Sequence, residues 1–132
     1  MKPLLQELSK AATGLYVISE TDAPLEPVSF PNPNHKKLTK EKVVQLSGKP
    51  AGYKIEEQDL DYFFRNHTVV RPEYGEEEKV TAARFQKVVT LLKQQLKNAK
   101  AWRLGEVNIE VLILGEDSDK DFSGFRTQLV ET

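Results

Sequence analysis

The sequence has no cysteine. That excludes a disulfide framework, a cysteine zinc site, an iron–sulfur cluster and a thiol nucleophile. It has one tryptophan and two histidines, His35 and His67, neither spaced with a partner like a metal pair. Both histidines are expected in solvated loops. No GxSxG elbow, HExxH helix or phosphate-cradling glycine loop is present. No run approaches the roughly 18 apolar residues of a membrane span. The opening MKPLLQELSK turns polar too early for a signal-peptide core, so the reading is a cytoplasmic chain. Charge of one sign is also missing. Lys and Arg number 19 against 20 for Asp and Glu, which argues against a general nucleic-acid binder.

What is present is enough for one domain spanning 1–132, the size at which a core forms without staples. Pro3 opens a helix carrying Leu4, Leu5, Leu8, Ala11 and Ala12, and Gly14 stops it. LYVIS, Leu15 to Ser19, reads as a short buried strand, and ETDAP after it as turn chemistry. Leu25 to Phe30 alternates, with Pro27 assigning it to a sheet edge. Thr39 caps a helix through Val43, Val44 and Leu46 that closes at Gly48. KPAGYK reads as loop, and DLDYFFR as a helical turn sending Leu60, Phe63 and Phe64 to the core.

The longest helix is expected from Glu76 to about Asn98. Phe85, Val88, Val89, Leu92, Leu96 and Ala99 share one stripe, and Val80 and Leu91 form a second covered edge. Glu76 to Glu78 at its start and Lys93, Lys97 and Lys100 at its end suit the macrodipole. Two strands then finish the chain, Val107 to Leu114 and Phe125 to Val130. The first is expected to be buried on both faces toward its end, and the two form an antiparallel hairpin. Helices before and between strands make the class α+β, in layers.

Several charged stretches were candidates for chemistry. In EDSDKDFSG, Asp117, Asp119 and Asp121 occupy positions 1, 3 and 5 of a calcium loop. Phe122 stands where the turn needs glycine and Gln128 where a bidentate Glu is needed, so a solvated hairpin loop is expected instead. NHKKLTKEK lacks the interleaved aromatics of a nucleic-acid patch and reads as a solvated face. Three acidic features remain: Glu20 directly after LYVIS, Glu73 with Tyr74 ahead of the long helix, and Glu131 with Thr132 at the end. Tyr74, between Glu73 and Gly75, is an aromatic in a loop, the kind of residue that anchors interfaces.

GLYVISE, DLDYFF, EEKVTAARFQKVVTLLKQQL, RLGEVNIEV and the final VET occur together in an order and spacing that resembles the nuclease A inhibitors. These are small bacterial proteins that block a sugar-non-specific, magnesium-dependent nuclease. The resemblance covers almost the whole chain, and is weakest over 27–37 and 49–57. It implies a three-layer α/β/α sandwich with a mixed, largely antiparallel sheet, similar to pathogenesis-related-1 proteins. The first and the long helix are then expected on opposite faces of that sheet. It implies that Thr132, beside Glu131, enters the nuclease active site and approaches its magnesium. Glu20 would contact that site, with Glu73 and Tyr74 contributing from the flank.

A threonine terminus carries a hydroxyl and a carboxylate, oxygens that can imitate those of a phosphate before a hard metal ion. The expectation is therefore a non-enzymatic inhibitor, without cofactor or metal of its own. It would bind a non-specific endonuclease as a monomer in a 1:1 complex, with no direct contact to nucleic acid or membrane. The alternative is an interaction module on the same scaffold with a non-nuclease partner. A small enzyme is the third reading, for which no convergent polar cluster is visible.

Overall fold

The structure is a computed structural model and describes residues 2–132. Its backbone is a five-stranded sheet of order β3-β7-β6-β5-β4, with a separate pair β1-β2. The strands are β1 (Tyr16–Ile18), β2 (Asp22–Pro24), β3 (Glu26–Phe30), β4 (Ile55–Asp59), β5 (Lys97–Leu104), β6 (Asn108–Glu116) and β7 (Phe122–Val130). The helices are α1 (Pro3–Ala12), α2 (Lys40–Ser47), α3 (Leu60–Phe63), α4 (Arg65–Thr68) and α5 (Glu76–Gln95). The class is α+β, as the sequence pattern implies. Every neighbouring pair in both sheets is antiparallel, so the expected mixed sheet is corrected to a wholly antiparallel one.

Alternation along the central strands sorts the core onto two faces. Ile109, Val111 and Ile113 of β6 join Ala101, Phe125 and Leu129 in one cluster, together with Leu8 and Ala12 of α1 and Phe85, Val88, Val89 and Leu92 of α5. Leu112 and Leu114 join Trp102, Leu104 and Phe122 in the other, with Val43 and Val44 of α2. β6 is thus buried on both faces, as its late apolar run suggests. Helices α1 and α5 pack on the same face, not on opposite ones. Arg84 of α5 reinforces that contact by donating to the carbonyls of Ala11 and Thr13 at 3.3 and 2.6 Å. These are C-terminal carbonyls of α1 that the helix itself leaves unpaired.

Local chemistry explains most element ends. Thr39 Oγ1 accepts from the Lys42 amide at 3.2 Å, and Gly48 ends α2 at φ 79°. Glu78 reaches back to the Gly75 amide at 3.1 Å to start α5. The end of α5 falls at Gln95, three residues earlier than periodicity implies. Leu96 is extended and Asn98 adopts φ 53°, a left-handed conformation that asparagine tolerates. A bulge between Lys97 and Lys100 then starts β5. Leu96 and Ala99 still reach the α5-side core, but from extended backbone, and Lys97 and Lys100 lie on a strand. β2 and β4 are likewise strands that the sequence pattern did not show. LYVIS is not buried throughout, because Tyr16 and Ile18 face outward.

The central hairpin is the longest pairing, running in register from Asn108 opposite Val130 to Glu116 opposite Phe122. Gly124 faces Leu114 there, and a Cβ at Gly124 would lie 1.8 Å from the Ile113 carbonyl oxygen. Only glycine lets the two backbones close at that point.

The hairpin loop is not a plain solvated turn. Asp117 is 6% exposed. Its Oδ1 accepts from the amides of Asp119 and Asp121 at 2.9 and 3.1 Å, and its Oδ2 from Ser123 Oγ at 2.6 Å. Lys2 Nζ donates to Asp117 at 2.8 Å and to Asp121 at 2.7 Å, with Asp119 at 3.4 Å. Asp121 also accepts from the Asn32 amide at 2.9 Å. The cation among these carboxylates is the protein's own ammonium. Burial opposes ionisation of Asp117, but Lys2, Ser123 and the loop amides outweigh it and hold the carboxyl below its ordinary range.

Removing Lys2 leaves Asp117 buried without its counter-ion. Lys2→Ala is expected to destabilise the fold by about 1–3 kcal/mol in urea titrations at neutral pH. Asp117 and Asp121 both have depressed pKa values. Their contribution is complete above about pH 4 and is lost as pH falls through the folded values. The deficit of Lys2→Ala relative to wild type should therefore shrink in acid. A deficit that is constant with pH would disprove the ionic origin.

Candidate partner-binding site

The end of the chain is tied down residue by residue. β7 delivers Val130 beside the turn that follows β1. Ser19 Oγ accepts from the Val130 amide at 3.0 Å, and the Glu20 amide donates to the Val130 carbonyl at 3.1 Å. The Glu131 amide donates to the Val107 carbonyl at 2.9 Å. The Thr132 amide donates to Glu20 Oε2, and the Thr132 hydroxyl donates to Glu20 Oε1 at 2.7 Å. A chain end would ordinarily fray. Here the three amides from Val130 to Thr132 each have an acceptor.

Glu20 thus uses both carboxylate oxygens on one residue. The Thr132 hydroxyl, and then the Thr132 amide, stabilise its charged form and lower its pKa. Glu131 is paired as well, since the Arg103 guanidinium donates to its Oε1. Arg103 lies on β5, and its side chain is largely buried behind the tip. Its Nε has no hydrogen-bond partner among the described residues.

Ile18, Glu20, Arg65, His67, Arg103 and Thr132 line a common cavity of about 410 Å³. Glu20, Glu131 and Thr132, expected to act together, are brought together here. Glu73 and Tyr74 are not part of it. They lie on the turn before α5, with Glu73 exposed and the Tyr74 amide bonded to the Arg71 carbonyl at 3.1 Å.

His67 departs from the expected solvated loop. It lies on α4, half-buried, with its ring centroid 4.8 Å from that of Phe85. Its Nε2 accepts from the Ile18 amide at 3.0 Å. That requires the neutral ring with its proton on Nδ1, and Nδ1 is buried without a partner among the described residues. Burial lowers its pKa. His67 therefore ties α4 to the strand that precedes Glu20. Neither His67 nor Arg103 carried a sequence signal for this role. His67 has no partner nearby in sequence, and the strand bearing Arg103 was not legible.

Among the described residues, no group of three or more His, Asp or Glu is placed to hold a metal ion, and no helix is long and apolar enough to cross a membrane. A family model described as nuclease A inhibitor-like protein matches residues 2–132. No curated protein matches the chain.

The histidine contact has a pH signature. A histidine with a lowered folded pKa contributes stability that is complete above its unfolded value, about 6.5, and declines as pH falls toward the folded one. In an NMR titration, the His67 ring resonances should show a midpoint below the ordinary histidine value of about 6.5. The Ile18 amide should shift with the same midpoint. An Ile18 amide insensitive to His67 titration would show that the bond is not formed in solution.

Proposed function

Because the chain belongs to the nuclease A inhibitor-like family, we propose that it is a protein inhibitor of a sugar-non-specific, magnesium-dependent endonuclease. It acts as one cytoplasmic domain, without catalysis or cofactor of its own, by occupying the active site in a 1:1 complex. The observation that carries this reading is the double contact of Glu20 with Thr132. We also infer the pathogenesis-related-1-like sandwich, with α1 and α5 as one outer layer and α2 as the other. The core clusters on both faces of the sheet support it.

The chemistry follows from which lone pairs are left. Thr132 donates its amide and hydroxyl hydrogens to Glu20, so its hydroxyl and main-chain oxygens remain as acceptors. Those are hard oxygens, the type that magnesium prefers. A carboxylate has about four acceptor sites. Two on Glu20 are taken, and the others can receive a partner's Arg or Lys. Glu20 then acts both as the splint that orients Thr132 and as a charge facing the cleft. The ordering cost is met before binding, because the terminal backbone is already hydrogen-bonded. Glu131, steadied by Arg103, adds a second carboxylate beside the plug. Glu73 and Tyr74 make a flanking contact from the turn before α5.

DNA cleavage by a magnesium-dependent non-specific endonuclease, measured with added inhibitor, tests this. Deleting Thr132 should raise the inhibition constant at least about thirtyfold, the scale of one interface hot spot. Glu20→Ala should weaken inhibition comparably, since it releases Thr132. Arg103→Ala should cost less, because it frees only Glu131. Wild-type protein that blocks no such nuclease would point to a different partner. Undiminished potency without Thr132 would refute the plug.

A further inference from the structure

The two-stranded sheet presents a face that nothing among the described residues covers. Val17 of β1 is buried in the core, whereas its neighbours Tyr16 and Ile18 are 51% and 64% exposed. The register sets Pro24 opposite Tyr16 and Asp22 opposite Ile18, both exposed. The outward face is therefore apolar except for one carboxylate. One exposed apolar side chain is ordinary, but two large ones sharing the face of a three-residue strand make a patch.

The patch is continuous with the inhibitory tip. Ile18 lines the same cavity as Glu20 and Thr132. On its other side the Ile18 amide is bonded to His67, and exposed Val69 and Val70 follow that histidine closely in the chain. The same segment then leads through Arg71 and Pro72 to Glu73 and Tyr74. Exposed apolar side chains thus run along the route that joins the Glu20 turn to the Tyr74 turn.

We propose that Ile18, with Tyr16 beside it on β1 and exposed Val70 in the segment after His67, forms the apolar centre of the docking surface for the nuclease. It seats against an apolar rim beside the partner's cationic, metal-bearing cleft. This rests on the inhibitor reading above and deepens it. A specific interface buries on the order of 1,600 Å² in total, far more than a single residue can supply. Such interfaces have an apolar centre and a polar rim.

Charge selects the occupant. No cation among the described residues lies within salt-bridge distance of Glu20, Asp22 or Glu73. Arg65 and Arg71 lie on the same surface, but Glu20, Asp22 and Glu73 are left without an internal counter-ion among the described residues. These carboxylates suit a basic partner, as a phosphate-binding cleft is. A second copy of this chain fits less well, because a two-fold contact through this face would bring both copies' Glu20 and Asp22 into one interface.

The test uses the full chain in the cleavage assay, beside thermal unfolding and sedimentation. Ile18→Asp should raise the inhibition constant at least about tenfold, and Tyr16→Ser and Val70→Ser severalfold, with unfolding temperatures unchanged. If Ile18→Asp melts early, the other two variants decide. Should all three inhibit like wild type while deletion of Thr132 abolishes inhibition, this surface is refuted and the inhibitor reading stands. A wild type that inhibits no nuclease removes both. A wild-type dimer that Ile18→Asp splits, with inhibition unaltered, assigns the face to a second copy and overturns the proposal.

Discussion

The register between β6 and β7 is the constraint on which the rest depends. A slip of one residue would reverse every side chain between the two faces. Ile113 and Phe125 would leave the α5 side, and Leu112 and Leu114 would leave the α2 side. The pairing is pinned at both ends by different means. At the loop end, Lys2 and the buried Asp117 hold the turn, and Asn32 adds a bond from the start of the loop after β3. At the far end, Ser19 and Glu20 hold Val130 and Thr132. Flanking strands on both sides, β3 against β7 and β5 against β6, leave neither partner at an edge.

Polar residues divide the labour at the two ends in opposite senses. The loop end satisfies its carboxylates internally, with an ammonium and several amides, and keeps Asp117 out of solvent. The tip end gathers carboxylates at the surface and neutralises only Glu131. The first arrangement stabilises the fold. The second leaves unspent acceptor capacity beside Thr132, and that suits recognition of a cation-rich cleft.

How much of this was legible depends on how local the cause was. The Thr39 cap, the Gly48 stop, the α5 stripe from Phe85 to Leu92 and the last hairpin rest on neighbouring residues, and each is where the pattern puts it. Leu96 and Ala99, by contrast, lie past the helix end, and Val80, expected on a covered edge, is exposed. β5 was hidden because KNAKAWRL shows no clean alternation and carries no breaker ahead of it. Its strand state comes from pairing with β6, a tertiary effect that overrides propensity. β2 was hidden by a sequence that also makes good turns. The contacts of Glu20 with Thr132 join residues far apart in sequence, and no spacing rule reaches them. The family resemblance singled out both residues but not the contact between them. Arg103 could not be singled out while its strand was unseen, and His67 lacked any neighbour that would mark it as more than a surface residue.

Gly124 stands eight residues before Thr132, at the tightest crossing of the central hairpin. At roughly 3.3 Å per residue, the chain between them spans about 26 Å. Over that arm, a tilt of about 5° where the backbones cross would swing the end sideways by about 2 Å, more than the roughly 1 Å that matters at a reacting centre. The crossing that admits only glycine, and the bonds from Ser19 and Glu20 at the tip, therefore fix the aim of the last residue together.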